Sequence, residues 1–131
     1  MSDTFLDQVE KIYQQDSRYK PESYEFVMQA LFFTQKQLNR KGHVSAQELL
    51  DGIKEFALEQ FGPMSHTVLE HWGIKSTDDL GNIVFNMVQN GLLRKTEDDN
   101  LEDFKEVYDL KQEFDRGYRR NLEKQIKGKV K

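Results

Sequence analysis

His66, Glu70 and His71 gather within six residues and are the first side chains in this sequence able to hold a metal. A helical zinc pair needs two histidines four apart on one face, with a third donor. His66 and His71 are five apart, which turns them roughly 140° from each other on a helix. His66 and Glu70 share a face, but one imidazole and one carboxylate are not a ligand set. Surface or cap histidines are expected, and His43, just before a helix start, is assigned no chemistry. Trp72 followed by Gly73 suggests ligand stacking, yet the single Trp of the chain is expected as a core anchor, because one indole covers a large area. Carboxylate pairs occur at Asp78/Asp79, Asp98/Asp99 and Glu102/Asp103. Acid–base catalysis needs carboxylates in a pocket with divergent pKa values. These acids fall in predicted turns and helix starts, where the helix dipole and water favour them. The run TEDDNLED (96–103) lacks the spacing and the glycine of an EF-hand loop. No G-x-x-x-x-G-K, G-x-G-x-x-G, G-x-S-x-G or H-E-x-x-H motif is present. No catalytic residue, metal site or cofactor is therefore assigned, and the chain is expected not to be an enzyme.

Charge is the more informative chemistry. The chain has 131 residues and a net charge of −4. Residues 116–131 hold seven Lys or Arg and one acid, Glu123, whereas residues 1–115 hold 12 basic and 22 acidic residues. Such asymmetry predicts a basic tail with its own task. There is no cysteine, which excludes disulfides, thiolate metal sites and cysteine nucleophiles, and leans toward a reducing cytoplasm. The opening MSDTFLDQVEKIYQQD has no basic n-region and no apolar h-region, so no signal peptide is expected. The longest apolar run, 30–33, is far too short to span a membrane.

These groups must be positioned by a folded core. Leu, Ile, Val and Phe make up 35 residues, above the level of disordered chains despite a mean hydropathy of −0.81. Phe5, Val9, Ile12 and Tyr13 mark one face of a helix over 3–15. Pro21 opens a second helix, expected to reach about residue 40 with Gly42 as its stop. Ser45 and Glu48 form a capping box with Val44 and Leu49 as the flanking staple, and the helix should run to Phe61. Gly62 ends it, and a short helix over 63–72 follows. It is closed by Gly73, with Ile74 placed for the apolar contact of a Schellman motif. Ser76 and Asp79 repeat the cap spacing before a helix over 77–90 that buries Leu80, Ile83, Val84, Met87 and Val88 and stops at Gly91. Two strands are expected at 92–96 and 104–110, around a polar turn at 97–100. Phe114, Tyr118, Leu122 and Ile126 then mark a final helix with a narrow apolar stripe and a basic face.

Residues 44–110 thus read helix, short helix, helix, two-stranded hairpin. That is the order of a winged-helix module, in which a helical triad feeds a β wing. The expected fold is mainly α with an α+β character. It is a winged-helix-like domain over 1–115 with a C-terminal β-hairpin, preceded by two helices and followed by a basic helical or frayed tail over 116–131. DNA binding through the winged-helix face is disfavoured. Helix 77–90 holds Asp78 and Asp79 and no basic residue, and 96–115 carry nine acids against Lys105 and Lys111.

The blocks YKPESYEFVMQAL (19–31), HVSAQELLDGIKEFALEQFGPM (43–64), VLEHWGIKSTDDLGNIVFNMVQNGLLRKT (68–96) and FKEVYDL (104–110) resemble the Minf-type family of small bacterial proteins of unknown function. The resemblance covers about residues 15–115. It implies a bacterial, cytoplasmic, single-domain protein, and it carries no catalytic residues. Where family patterns read F-G-E, this chain has Leu80-Gly81-Asn82.

Two functional readings follow. The first is a non-catalytic protein-interaction module whose acidic face (Asp78, Asp79, Asp98, Asp99 and Glu102) meets a basic protein partner. The second is a nucleic-acid or ribonucleoprotein binder that works through Arg116, Arg119, Arg120, Lys124 and Lys127, with Tyr118 available to stack. The tail could instead reach an anionic membrane, or dock on the acidic 96–115 stretch of its own chain or of a second copy, which would make a homo-oligomer.

Overall fold

A computed structural model describes residues 4–94 and 100–129, the last of these by its backbone alone. Six α-helices and two short 3-10 turns make up the regular structure of the described residues: α1 Phe5–Gln15, α2 Pro21–Gln37, α3 Ala46–Phe61, α4 Ser65–His71, α5 Thr77–Gln89 and α6 Leu110–Lys129, with the turns at Gly62–Met64 and Leu101–Phe104. The starts follow the caps. Thr4 and Asp7, Ser45 and Glu48, and Ser76 and Asp79 each close a reciprocal capping box. Pro21 sits in the first turn of α2.

Three helices end in Schellman motifs, each with a left-handed residue just beyond the cap. After α4 it is Gly73 (φ 95°), with Ile74 N–H bonding Leu69 O at 2.9 Å and the Ile74 side chain fully buried. After α5 it is Gly91 (φ 77°), with Leu92 N–H bonding Met87 O at 2.9 Å. After α2 it is Asn39 (φ 51°), with Arg40 N–H bonding Gln35 O at 2.9 Å. The second helix therefore ends at Gln37, before the expected Arg40. Asn39, one of the few residues that tolerates this conformation, does what was expected of Gly42.

The core is centred on α2, which packs along α3 on one side and α5 on another. Tyr24, Phe26, Val27 and Ala30 of α2 meet Leu49, Leu50, Ile53 and Ala57 of α3 and Leu80, Ile83 and Met87 of α5 in one buried cluster. The α2–α3 crossing is unusually close. A Cβ placed on Gly52 would lie 1.7 Å from Thr34 Oγ1, a hydroxyl that donates to Ala30 O at 2.7 Å inside α2. Trp72 closes the other end of this layer. Its ring centroid stands 5.4 Å from Phe26 and 5.8 Å from Phe61, the latter edge-on.

The expected hairpin does not form. Among the described residues there is no strand, so the α+β class and the winged-helix reading are both overturned, and the fold is helical. Leu92–Leu93 follow the Schellman turn of α5 without pairing, while the rest of the first expected strand, Lys95 and Thr96, and the turn residues 97–99 lie outside the described residues. The second segment, 104–110, is an irregular link of turns and bends between a 3-10 turn and α6. Phe104 ends a 3-10 turn against Gly81, and Glu106 adopts a left-handed φ of 47°, which breaks any extended run. The Glu106 N–H donates to Asp78 Oδ1 (2.9 Å) and the Val107 N–H to Thr77 Oγ1 (3.0 Å), and the Tyr108 hydroxyl donates to Leu50 O (2.7 Å). The amides that a ladder would pair are already bonded by the first turn of α5. The alternation of Phe104, Tyr108 and Leu110 is real burial, since Phe104 and Leu110 are buried and Tyr108 is half-buried, but it is burial against helices.

Gly52→Ala separates local preference from packing. Helix propensity alone would stabilise α3 by about 1 kcal/mol. The overlap with Thr34 should instead destabilise the protein by ~1–3 kcal/mol, seen as a lower denaturant midpoint at an unchanged slope.

Candidate functional site

The polar chemistry of the body converges on α5. Asp79 Oδ2 accepts from the Lys75 and Ser76 N–H groups (2.8 and 3.2 Å), and its Oδ1 accepts from the Tyr19 hydroxyl (2.5 Å). Asn82, one turn on, donates to the Tyr19 oxygen (2.9 Å). Asn86, a further turn on, donates to the Tyr24 oxygen (2.9 Å) and to Asp16 Oδ2 (3.0 Å). Asp16 is gripped by Arg18 through Nε (2.9 Å) and a terminal nitrogen (2.8 Å). The Arg18 hydrogen bonds hold the Asp16 carboxyl far below the usual carboxylate range, helped by Asn86 and opposed by burial. Burial, and then the bond to Asp79, pushes the Tyr19 phenol above its ordinary value, and burial likewise raises Tyr24. The Lys20 N–H bonds Trp72 O at 3.0 Å, and Gly73 lies so close to Arg18 O that a Cβ there would stand 2.2 Å away. This network locks the α1–α2 link onto α5. Asn82 serves here as a donor to a phenol.

The expected acidic face is accordingly dispersed. Asp79 is internal to the network, and Asp78 accepts from the 104–110 segment. Glu102 is exposed on its 3-10 turn, and Asp98 and Asp99 lie outside the described residues. Of the acids expected as a rim, only Glu102 is described as an exposed carboxylate with no bond to the body.

The expected tail is not a separate piece. α6 is continuous through residues 115 and 116, and its first half is anchored. Leu110 and Phe114 are buried, Lys54 bonds Glu113 at 3.3 Å, and Gly117 touches the Leu58 side chain so closely that a Cβ would lie 2.6 Å from it. Tyr118 is half-buried against the core. From Arg119 to Gly128 every described residue is exposed, including Leu122 at 42% and Ile126 at 53%. At 100° per residue, Arg119, Arg116, Lys127, Arg120 and Lys124 fall on one arc roughly 140° wide, interrupted by Glu123, while Tyr118, Leu122 and Ile126 adjoin it. Arg116 is 3.6 Å from Glu113. Arg119, Arg120, Lys124 and Lys127 have no side-chain partner among the described residues. All six residues expected as tail contacts are thus brought onto one helix, with Tyr118 half-buried at its junction with the core. Nor does the helix dock on the acidic stretch of its own chain among the described residues.

The histidines stay apart. His66 approaches Glu70 only to 3.7 Å, His71 is exposed at the end of the same helix, His43 is exposed before α3, and no three metal-donor groups gather among the described residues. Among those residues no helix is long and apolar enough to cross a membrane. Comparison with protein-family models, with curated proteins and with solved structures finds no match to this chain.

Sequence reasoning did not find the Tyr19 network. Its trace was present, since Asp79, Asn82 and Asn86 sit at i, i+3 and i+7, one polar line along an otherwise apolar helix.

Tyr19→Phe leaves Asp79 and Asn82 short of a partner beside a fully buried ring, and should cost ~1–3 kcal/mol at neutral pH. The folded Tyr19 value lies above its ordinary 10.0. Its contribution is therefore full below pH 10 and is lost as pH rises through the higher folded value. The gap between wild type and Tyr19→Phe should close in alkaline denaturant titrations and stay constant between pH 6 and 9.

Proposed function

We propose that this protein is a non-catalytic binding module that grips the phosphate backbone of nucleic acid with the second half of α6, in the cytoplasm. One observation carries the reading: four cations, Arg119, Arg120, Lys124 and Lys127, stand unpartnered among the described residues on one arc of a helix whose root is fixed in the core. Backbone binding needs cations presented together and free of internal ion pairs, because each contact gains by releasing counterions from the phosphates. The acidic body favours this division of labour, since its 22 acids against 12 basic residues over 1–115 repel the polyanion and leave α6 as the contact. A single helix face of this kind positions without reading bases, so binding should be weakly dependent on sequence. The two exposed aliphatic rungs offer far less apolar area than interfacial membrane helices, which bury whole aromatic and aliphatic faces. The acid-lined protein interface ranks lower, because Asp78 and Asp79 are tied into the fold. The lack of cysteine and the resemblance to a small bacterial family fit a cytoplasmic setting.

Fluorescence anisotropy with a labelled 20-nucleotide RNA, single-stranded and duplex, tests it. Affinity should fall with salt at a log–log slope of about −3, near 0.7 per contacted phosphate for four cations on the single strand. Replacing Arg119, Arg120, Lys124 and Lys127 with Gln should remove binding while the melting temperature holds, since all four are exposed. Binding that ignores salt, or survives the fourfold change, overturns the reading. So does tighter binding to phosphatidylglycerol vesicles than to RNA that is lost in Leu122→Ser with Ile126→Ser, which would assign the helix to membranes.

A further inference from the structure

We propose that the hollow bounded by α2, the 38–45 loop, the start of α3 and the last turns of α5 binds a medium-chain fatty acid, with the alkyl chain inside and the carboxylate at the mouth. The hollow measures about 430 Å³, within the range of roughly 300–1,000 Å³ typical of small-molecule sites. Its walls are aliphatic and aromatic, with Leu31 from α2, Leu49 from α3, Val84 and Val88 from α5, Leu93 beyond it and Phe104 from the facing 3-10 turn. Its polar lining is one-signed. Among the described residues, Lys41, His43 and Arg94 border it together with Gln35, and no acid does. The Lys41 ammonium and the Arg94 guanidinium have no side-chain partner among the described residues, unlike Arg18 and Arg40.

The rim is built before any ligand arrives. The Gln35 side-chain amide donates to Gly42 O (3.0 Å), the left-handed Asn39 turns the chain out of α2, and Arg40 bonds Glu48 (2.7 Å). That same Glu48 oxygen accepts from the Ser45 N–H (2.9 Å) at the start of α3. Lys41 is thus carried on a loop tied at both ends, which lowers the ordering cost of binding. An apolar chain entering the hollow leaves water for aliphatic walls, and a carboxylate at the mouth meets a guanidinium and an ammonium, the donors that form the strongest hydrogen bonds to it. A second hollow of about 580 Å³ shares Leu31, Gln35, Leu93 and Arg94 and continues past Met28 and the exposed Phe32, so a longer chain has somewhere to go.

Decanoate, decanol and decyltrimethylammonium, each below its micellar concentration and titrated into the full chain, decide the matter by calorimetry and amide chemical shifts. Decanoate should saturate at one per chain, with shifts centred on Leu49, Val84 and Val88. Decanol should bind about ten-fold more weakly, and the cation not at all. Lys41→Gln with Arg94→Gln, both on exposed side chains, should bring decanoate to the level of decanol and leave decanol unchanged. Val88→Phe should reduce both by filling the wall, and if that variant does not fold, the double Gln variant carries the decision. Absence of saturation, equal affinity for all three amphiphiles, or shifts centred away from α5 and the start of α3 overturns the proposal.

Discussion

The first turn of α5 holds together parts of the chain that would otherwise have no reason to meet. Thr77 and Asp78 accept the backbone amides of Val107 and Glu106, which lie 30 and 28 residues further on. Asp79 closes the cap of its own helix and accepts the hydroxyl of Tyr19, 60 residues earlier. Gly81, without a side chain, lets Phe104 lie against the helix, where a Cβ would come within 2.6 Å of the Phe104 Cβ. Four of the five positions 77–81 therefore join Tyr19 and the 104–107 segment to the centre. Most of these bonds end on backbone amides or buried hydroxyls, groups that are costly to leave unpaired, so the arrangement is demanded as much as it is favoured.

That clamp explains where α6 goes. With residues 104–108 pinned to α5 and the Tyr108 hydroxyl on Leu50 O, α6 must start beside α3, and Leu110, Phe114, Gly117 and Tyr118 seat its first half there. The helix outruns the body it leans on. Its last turns carry basic residues for which the described residues of the body supply no acid, and a helix continuous with an anchored first half is what distinguishes this basic segment from a frayed terminus. The body is acidic and internally bonded, and the projecting helix is basic and without side-chain partners among the described residues, so the two parts differ in the sign of their charge.

The helix boundaries were largely legible. Thr4, Ser45 and Ser76 announce starts through oxygen donors and acceptors three residues apart, and Gly73 and Gly91 announce stops through a conformation that other residues resist. The misjudged stop at α2 had the same local cause in another residue, Asn39 in place of Gly42. The candidate site was legible only in part. The basic arc on α6 could be counted from the sequence, whereas the bonds of Asp78 to the Glu106 amide and of Asp79 to Tyr19 could not, because those partners lie 28 and 60 residues away. Alternation at Phe104, Tyr108 and Leu110 was misleading for the same reason. It marks which side chains are buried and is silent on what covers them.

What the sequence by itself determined were the features settled within about four residues: caps, stops, apolar faces, and the separation of an acidic body from a basic end. These depend on hydrogen bonds and side-chain neighbours inside a single turn of helix. What only the tertiary structure decided was which partner satisfies the amides of Glu106 and Val107, how closely α2 crosses α3 at Thr34 and Gly52, and which cations remain uncompensated. A backbone amide bonds equally well to a strand or to a carboxylate. Distance in space makes that choice, and distance in space is a property of the whole packed chain.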